Sequence, residues 1–595
     1  MPSGDNKRKI TQAMAVEALL ACDGAILPAA RWIEAKHGIS YTHGSMRSQR
    51  DKARRDGIQI PDPPYHPGAG QRKKDSLAEQ ARRRAAVEDG LIDEEDARPL
   101  VAGRVDPREV IARPLPKAGH VATYLLTGAV NNTHIHPAFW RNLQALAQHY
   151  GAEIIVRPIH YNLNAYRRMG ADTENVDAES AGIWFDPAVR DFLTTDRIEL
   201  APDCHFAGDA PITATAASPL SGYDTFTGRA SGIFAATKLE MKSVATMRAE
   251  AAKLLFTTGV VTQRNYTETK TGQKADWHHT YGAMLVEVDS QGRWWPRHII
   301  AGEDGACNDL GLSVRSGRVH AADNIAALTP GDIHVAQLDE AVRATLFGPG
   351  GMVDELRPSE LHLHDLHDHQ SRSHHNARDP FKLFQLRQAG KDSVLEEVRA
   401  DADFLRYCRR DWMQTVVVAS NHDDHLRRWV SEADWKSDPV NARFYLQCAE
   451  RMLAALEDED SGFHLLEWAC REMGALAAAV FLQPDQSWVV EEIECGLHGD
   501  KGPNGSRGSA RSIAKTGSKS TIGHSHTATI FEGCWQTGVT AGTLADLDMG
   551  YNSGPSSWSR MLVATYRGGK RTVILMRGLQ WRADRSKARG KRCAA

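Results

Sequence analysis

Val416-Val417-Val418-Ala419-Ser420-Asn421-His422-Asp423 is an apolar run of strand length that stops at an Asn-His-Asp cluster. A buried strand that ends this way delivers three ligand-type side chains to one sheet edge. In an open α/β sheet the carboxyl edge is where ligands bind. A second piece, Thr521-Ile522-Gly523-His524-Ser525-His526, repeats the pattern with two imidazoles, and His498-Gly499-Asp500 lies between the two. The rest of the chain is read outward from these residues.

The 595 residues are too many for one core, so two to four domains are expected. Charged residues at 25% and apolar ones at 42% fit an ordinary globular protein, and a net charge of −3 implies little by itself. No stretch approaches the ~20 apolar residues of a membrane span, and no apolar segment of signal-peptide type follows Met1-Pro2-Ser3-Gly4-Asp5. No membrane partner is expected. The nine cysteines include no Cys-x-x-Cys pair, which argues against a disulfide framework or thiolate zinc and makes a reducing cytoplasm the expectation. Histidine carries more information: six of the 26 fall between His362 and His375.

Taken in order, residues 1–60 read as a helical, helix-turn-helix-like module. Thr11 caps the first helix, Leu27 to His37 makes the second, and a basic third runs from about Ser45 to Asp56. Such a trio would place Arg47, Arg50 and Arg54 against DNA; a solvated basic face is the plainer alternative. Residues 61–118 form a charged linker, and residues 1–85 together carry 16 basic against 9 acidic side chains. Residues 119–320 read as an α/β accessory domain. It begins with a strand at Val121–Leu126, a helix at Pro137–Tyr150 and a strand at Ala152–Val156, and a hairpin follows around Asp289-Ser290-Gln291-Gly292. Polar loops there, Thr257 to Thr262 with Asn265, Tyr266 and His279, line either a site or a hydrogen-bonded interior. Residues 321–580 alternate strand and helix in a layered α/β arrangement, with helices at Leu338–Leu346 and Ser393–Trp412 and a helical insertion from Asn441 to Met473. Residues 581–595 are a basic tail.

Within 321–580 the order is Asp332-Ile333-His334, Asp365-Leu366-His367-Asp368, Asn421-His422-Asp423, His498, then Gly523-His524-Ser525-His526. Carboxylate, amide and imidazole donors in this combination suit two divalent ions about 3.5–4 Å apart. The series resembles the calcineurin-like metallophosphoesterases, whose motifs run Asp-x-His, Gly-Asp-x-x-Asp, Gly-Asn-His-Asp/Glu, His and Gly-His-x-His. The resemblance implies a layered metallophosphoesterase fold, sheets flanked by helices. It also implies one ion on Asp332, His334 and His526, a second on Asn421, His498 and His524, and Asp365 bridging them. His422 would face the phosphate as general acid or transition-state stabiliser, oriented by Asp423. His364 and Ser420 stand where the family has glycine. Asp365-x-His367 and Asp203-x-His205 also fit the first motif; Asp332 and His334 are preferred because a helix and a strand separate them from Asp365.

Two loops extend the set. Arg372 and His375 follow the bridging motif, and Arg507 follows His498 in Lys501-Gly502-Pro503-Asn504-Gly505-Ser506-Arg507; these are substrate-binding candidates. With Tyr551-Asn552-Ser553-Gly554-Pro555-Ser556-Ser557-Trp558, this region is similar to tailed-bacteriophage metallophosphoesterases, among them pre-early DNA-transfer nucleases. The expectation is therefore a metal-dependent DNA phosphodiesterase in the host bacterial cytoplasm, with manganese as its ion and zinc, iron or magnesium as alternatives. A phosphomonoesterase or protein phosphatase with the same metals is the first rival, and a non-catalytic DNA-binding regulatory protein the second. Whether the chain is a homo-oligomer is left open.

Overall fold

The computed structural model describes residues 11–22, 26–37, 43–61, 110–161, 183–247, 250–374, 379–475, 479–540 and 554–584. Most of the expected linker, the basic tail, His375 and the Arg47 side chain lie outside the described residues. The chain forms two compact units, Met1–Val105 and Asp106–Ala595.

The first unit contains the helices Gln12–Ala21, Ile26–His37 and His43–Arg55. Thr11 caps the first, its hydroxyl accepting from the Met14 N–H. Small residues (Ala15, Ala18, Ala29, Ala30, Ala53) let the helices approach around Leu19, Ile33 and Met46.

In the second unit a six-stranded sheet positions the central stretch. Its order is Ala479–Phe481, Gln414–Val417, Glu360–Leu363, Ile325–Thr329, Met561–Tyr566, Arg571–Leu575. The first four strands are parallel and the last two antiparallel. Parallel pairing requires crossovers, which here carry the helices Glu340–Phe347, Met352–Leu356, Val394–Cys408 and Leu465–Glu472. Leu361, Leu363 and Val417 pack with those helices, while Ala326 and Ala327 meet Val490, Ile493 and Cys495 of a second sheet. That second sheet has eleven strands, from Ile111–Ala112 through Val489–Val490. Mixed α/β layers are thus present, with several sheets and flanking helices.

Residues 119–320 and 321–580 share the eleven-stranded sheet, because Glu240–Val244 pairs antiparallel with Thr529–Phe531. A parallel pair, Val121–Val130 with Glu153–Ile159, brackets the helix Pro137–Tyr150, and Gly282–Asp289 forms the hairpin with Trp294–Ile300. The polar loops at Thr262 and His279 are internal structure: the Thr262 hydroxyl accepts from the Val130 N–H, and Tyr266 lies 2.8 Å from His279 Nδ1. Among the described residues no helix is long and apolar enough to cross a membrane.

Candidate metal centre

Three adjacent parallel strands, Ile325–Thr329, Glu360–Leu363 and Gln414–Val417, end at the segments carrying Asp332 and His334, Asp365 to His369, and Ser420 to Asp423. The second sheet supplies the remainder: Ile493–Glu494 leads to His498, and Ser520–Ile522 to His524 and His526. The two sheet edges are tied at the site, where the Asp332 N–H donates to Gly538 O and the Thr540 N–H to Asp332 O.

Two groups of donors converge. In the first, ligand atoms of Asp332, His334, Asp365 and His526 all lie within 4.8 Å of one another, and all four residues are buried. His334 Nε2 is 3.0 Å from His526 Nε2 and 3.7 Å from Asp365 Oδ2, and His526 Nε2 is 3.2 Å from Asp332 Oδ2. In the second, His498 Nε2 is 3.3 Å from Asp365 Oδ1 and 3.1 Å from Asn421 Oδ1, and His524 Nδ1 is 3.1 Å from that same amide oxygen. Asp365 therefore turns Oδ2 to one group and Oδ1 to the other. Asp203-Cys204-His205 plays no part; Asp203 accepts from the Trp294 indole in the other half of the unit.

These donors fit divalent cations. Asp332 Oδ1 accepts from the His524 N–H at 3.0 Å, whereas its Oδ2, and Oδ1 of Asp365, are buried without hydrogen-bond partners. Bare carboxylate oxygens facing imidazole nitrogens, all out of water, are costly unless a cation joins them. The backbone is strained at these donors. His334, Asp365, His524 and His526 all adopt positive φ (48°, 46°, 81° and 58°), which non-glycine residues rarely do.

Partners behind the donors set their orientation. Asp368 Oδ1 lies 3.0 Å from His334 Nδ1, and the Gln337 amide donates to Asp368 Oδ2. His364, standing where the family has glycine, is buried with Nδ1 3.3 Å from His498 Nδ1, so it backs that imidazole. Ser420, the other departure from glycine, accepts from the Asp423 N–H and lies against Asp365, favouring its charged form. Gly523 allows the close packing: a Cβ there would sit 2.2 Å from Asp332 Oδ1. Trp558 packs its ring 4.2 Å from that of His526.

The charges follow from this packing. Burial would raise Asp365, but the imidazoles of His498, His422 and His334 outweigh it and hold the carboxyl far below its usual range. Burial and neighbouring Asp365 likewise oppose ionisation of Asp332, yet the facing imidazole of His526, with that of His498, brings it below normal. Burial and the neighbouring His498 push His364 down to about 3, so it stays neutral. His422 goes the other way. Burial disfavours its cation, but Asp365, Asp368 and Asp332 raise it to about 10.

The partner of His422 is not the expected one. Its Nδ1 faces Asp368 Oδ1 at 3.5 Å. Asp423 is buried on the opposite side of the same turn, where its Oδ1 accepts from the His367 N–H at 2.8 Å. Successive residues of a tight turn point apart, so Asp423 shapes the loop and Asp368 orients His422. Asp368 was legible only as part of the bridging motif.

Arg372 donates to both oxygens of Asp438, 2.5 and 2.8 Å away, and to Ser371 O. Arg507 is exposed on the loop after His498, its backbone bridged to that of Lys501. In the helical unit Arg54 donates to Ile60 O and Pro61 O, and Arg50 reaches the neighbouring Asp51. Asn421, His422 and His524 are only half-buried, so solvent and any ligand approach from their side.

Fold and site together define a mixed α/β protein whose sheet edges bring two His/carboxylate groups together around one shared aspartate. The chain belongs to the family of Protein A1 of Escherichia phage T5, to which it is 36% identical over 467 residues, 76% of this chain and 81% of that one. No family model matches the chain. No solved structure matches it either.

Proposed function

We propose that the protein is a divalent-metal-dependent phosphodiesterase that cleaves DNA. One observation carries the proposal: Asp365 divides its two carboxylate oxygens between two four-donor groups. A paired centre of that kind, when occupied, polarises a phosphoryl oxygen and supplies a hydroxide nucleophile at neutral pH. The mixed N/O donor set suits manganese, with zinc, iron and magnesium as alternatives.

The chain's own residues account for the remainder of the chemistry. The His524 N–H anchors Asp332, Asp368 holds the proton on His334 Nδ1, and His364 backs His498, so the donor atoms are aimed before any ligand arrives. His422, partly exposed at the mouth, is placed to protonate the leaving oxygen or to bind a phosphoryl oxygen. Asp368, 3.5 Å from its Nδ1, orients it.

DNA as substrate is supported by the resemblance to phage DNA-transfer nucleases, by kinship with a phage protein, and by the cationic balance of residues 1–85. The same kinship supports action in the host bacterial cytoplasm. The test is to incubate purified protein with circular and linear DNA under manganese, then chelator, with a small chromogenic phosphodiester in parallel. Cleavage of DNA and of the diester, both stopped by chelator, is expected. Retention of DNA without cleavage would overturn the assignment, and turnover of phosphomonoesters alone would replace the substrate.

A further inference from the structure

We propose that His367, His369 and Glu397 form a third cation site, separate from the pair of donor groups that Asp365 joins. It takes zinc and pins the loop bearing Asp365 to the helix Val394–Cys408. Ligand atoms of the three residues lie within 4.8 Å of one another, and both imidazoles are buried. Two histidines and a carboxylate are a donor set that zinc accepts, with water completing the shell.

The support is already in place. Asp401, one turn beyond Glu397 on the same helix, lies 2.6 Å from His367 Nδ1. That pairing puts the proton on Nδ1 and presents Nε2 as a lone pair, the arrangement that stands behind metal-bound histidines. The lone pair meets His369 Nδ1 at 3.0 Å. Whichever of the two nitrogens carries a proton between them, His369 Nε2 is buried without a partner. A cation would replace the proton between the two facing nitrogens.

Charge points the same way. Asp368 and Asp401 are buried beside Glu397 in this part of the unit. The basic residues nearest in sequence, Arg372 and Arg399, are turned to Asp438 and Glu396. A divalent ion would balance this buried negative charge. The loop it would hold carries both Asp365 and Asp368, and turns through positive φ at Asp365 and His369 (46° and 54°). Fixing its far end to the helix would keep that strained geometry in register.

The experiment strips the full-length protein with chelator, titrates it with zinc, and measures bound zinc per chain after gel filtration. Wild type is compared with His369→Gln and Glu397→Gln. Each variant is expected to bind one equivalent fewer than wild type and to lose part of the zinc-induced rise in melting temperature. Equal stoichiometry and equal rise in all three proteins would overturn the site. Should the paired centre fail instead, wild type would bind a single equivalent that His369→Gln removes. Where circular dichroism shows one variant unfolded, the other decides. Were both unfolded, three equivalents on wild type would uphold the site and two would overturn it.

Discussion

Replacing Gly523 with alanine should disable the first donor group through one methyl. Gly523 is free of left-handed backbone strain, so alanine is permitted there on backbone grounds, and only its Cβ matters. That atom would lie 2.2 Å from Asp332 Oδ1 and 3.1 Å from His364 Cβ, against an ordinary contact of 3.4 Å or more. Asp332 must therefore retreat by about 1 Å or more. The retreat breaks its hydrogen bond from the His524 N–H and withdraws Oδ2 from His526. A hydrogen bond to a charged group contributes about 1.5–3 kcal/mol, which at ~1.4 kcal/mol per decade is about 10–100-fold in affinity. Calorimetric titration of the chelator-stripped protein with manganese should show that weakening at one class of site. Melting in chelator separates it from loss of fold. Gly311→Ala is the control, since a Cβ there meets nothing within 4 Å. If Gly523→Ala bound manganese as wild type does, Asp332 would not be a donor.

Other substitutions separate the remaining roles. His422→Ala should keep its metal and lose about 10²–10⁴-fold in turnover; loss of metal would show that His422 is a ligand. Asp368→Asn should weaken metal binding about 10–100-fold, since it orients His334. Asp423→Asn keeps an acceptor for the His367 N–H and should bind as wild type; equal effects of the two would refute the division made between them. In the other half of the unit, burial pushes His279 and His298 down to about 4. The unfolded chain therefore binds more protons, so stability falls as pH drops below about 6.5 and the loss is complete below about 4, reaching about 3 kcal/mol for each residue. Chemical denaturation from pH 7 to 4 should show this, and His298→Gln should flatten the slope; an unchanged slope would refute it.

Much of the site was legible because its donors are polar residues placed directly after apolar strands. Val416 to Asp423 and Thr521 to His526 announce both strand and ligand, and Thr11 and Pro137 announce helix starts through local chemistry alone. Pairings were not legible. The strand Glu240–Val244 meets Thr529–Phe531 almost 300 residues on, a contact set by tertiary packing that no local pattern encodes. Nor does sequence state which way successive turn residues point, so Asp423 was read as the partner that Asp368 is. His364 read as a lost glycine because its partner, His498, lies 134 residues away. The positive φ of His334, Asp365, His524 and His526 left no trace either, since none is a glycine.

The central claim is that Asp365 joins two ions, and electron paramagnetic resonance of the manganese-loaded protein tests it most directly. An exchange-coupled manganese pair is expected in wild type and should vanish in Asp365→Ala. Isolated, uncoupled manganese signals at full occupancy in the wild-type protein would contradict the account.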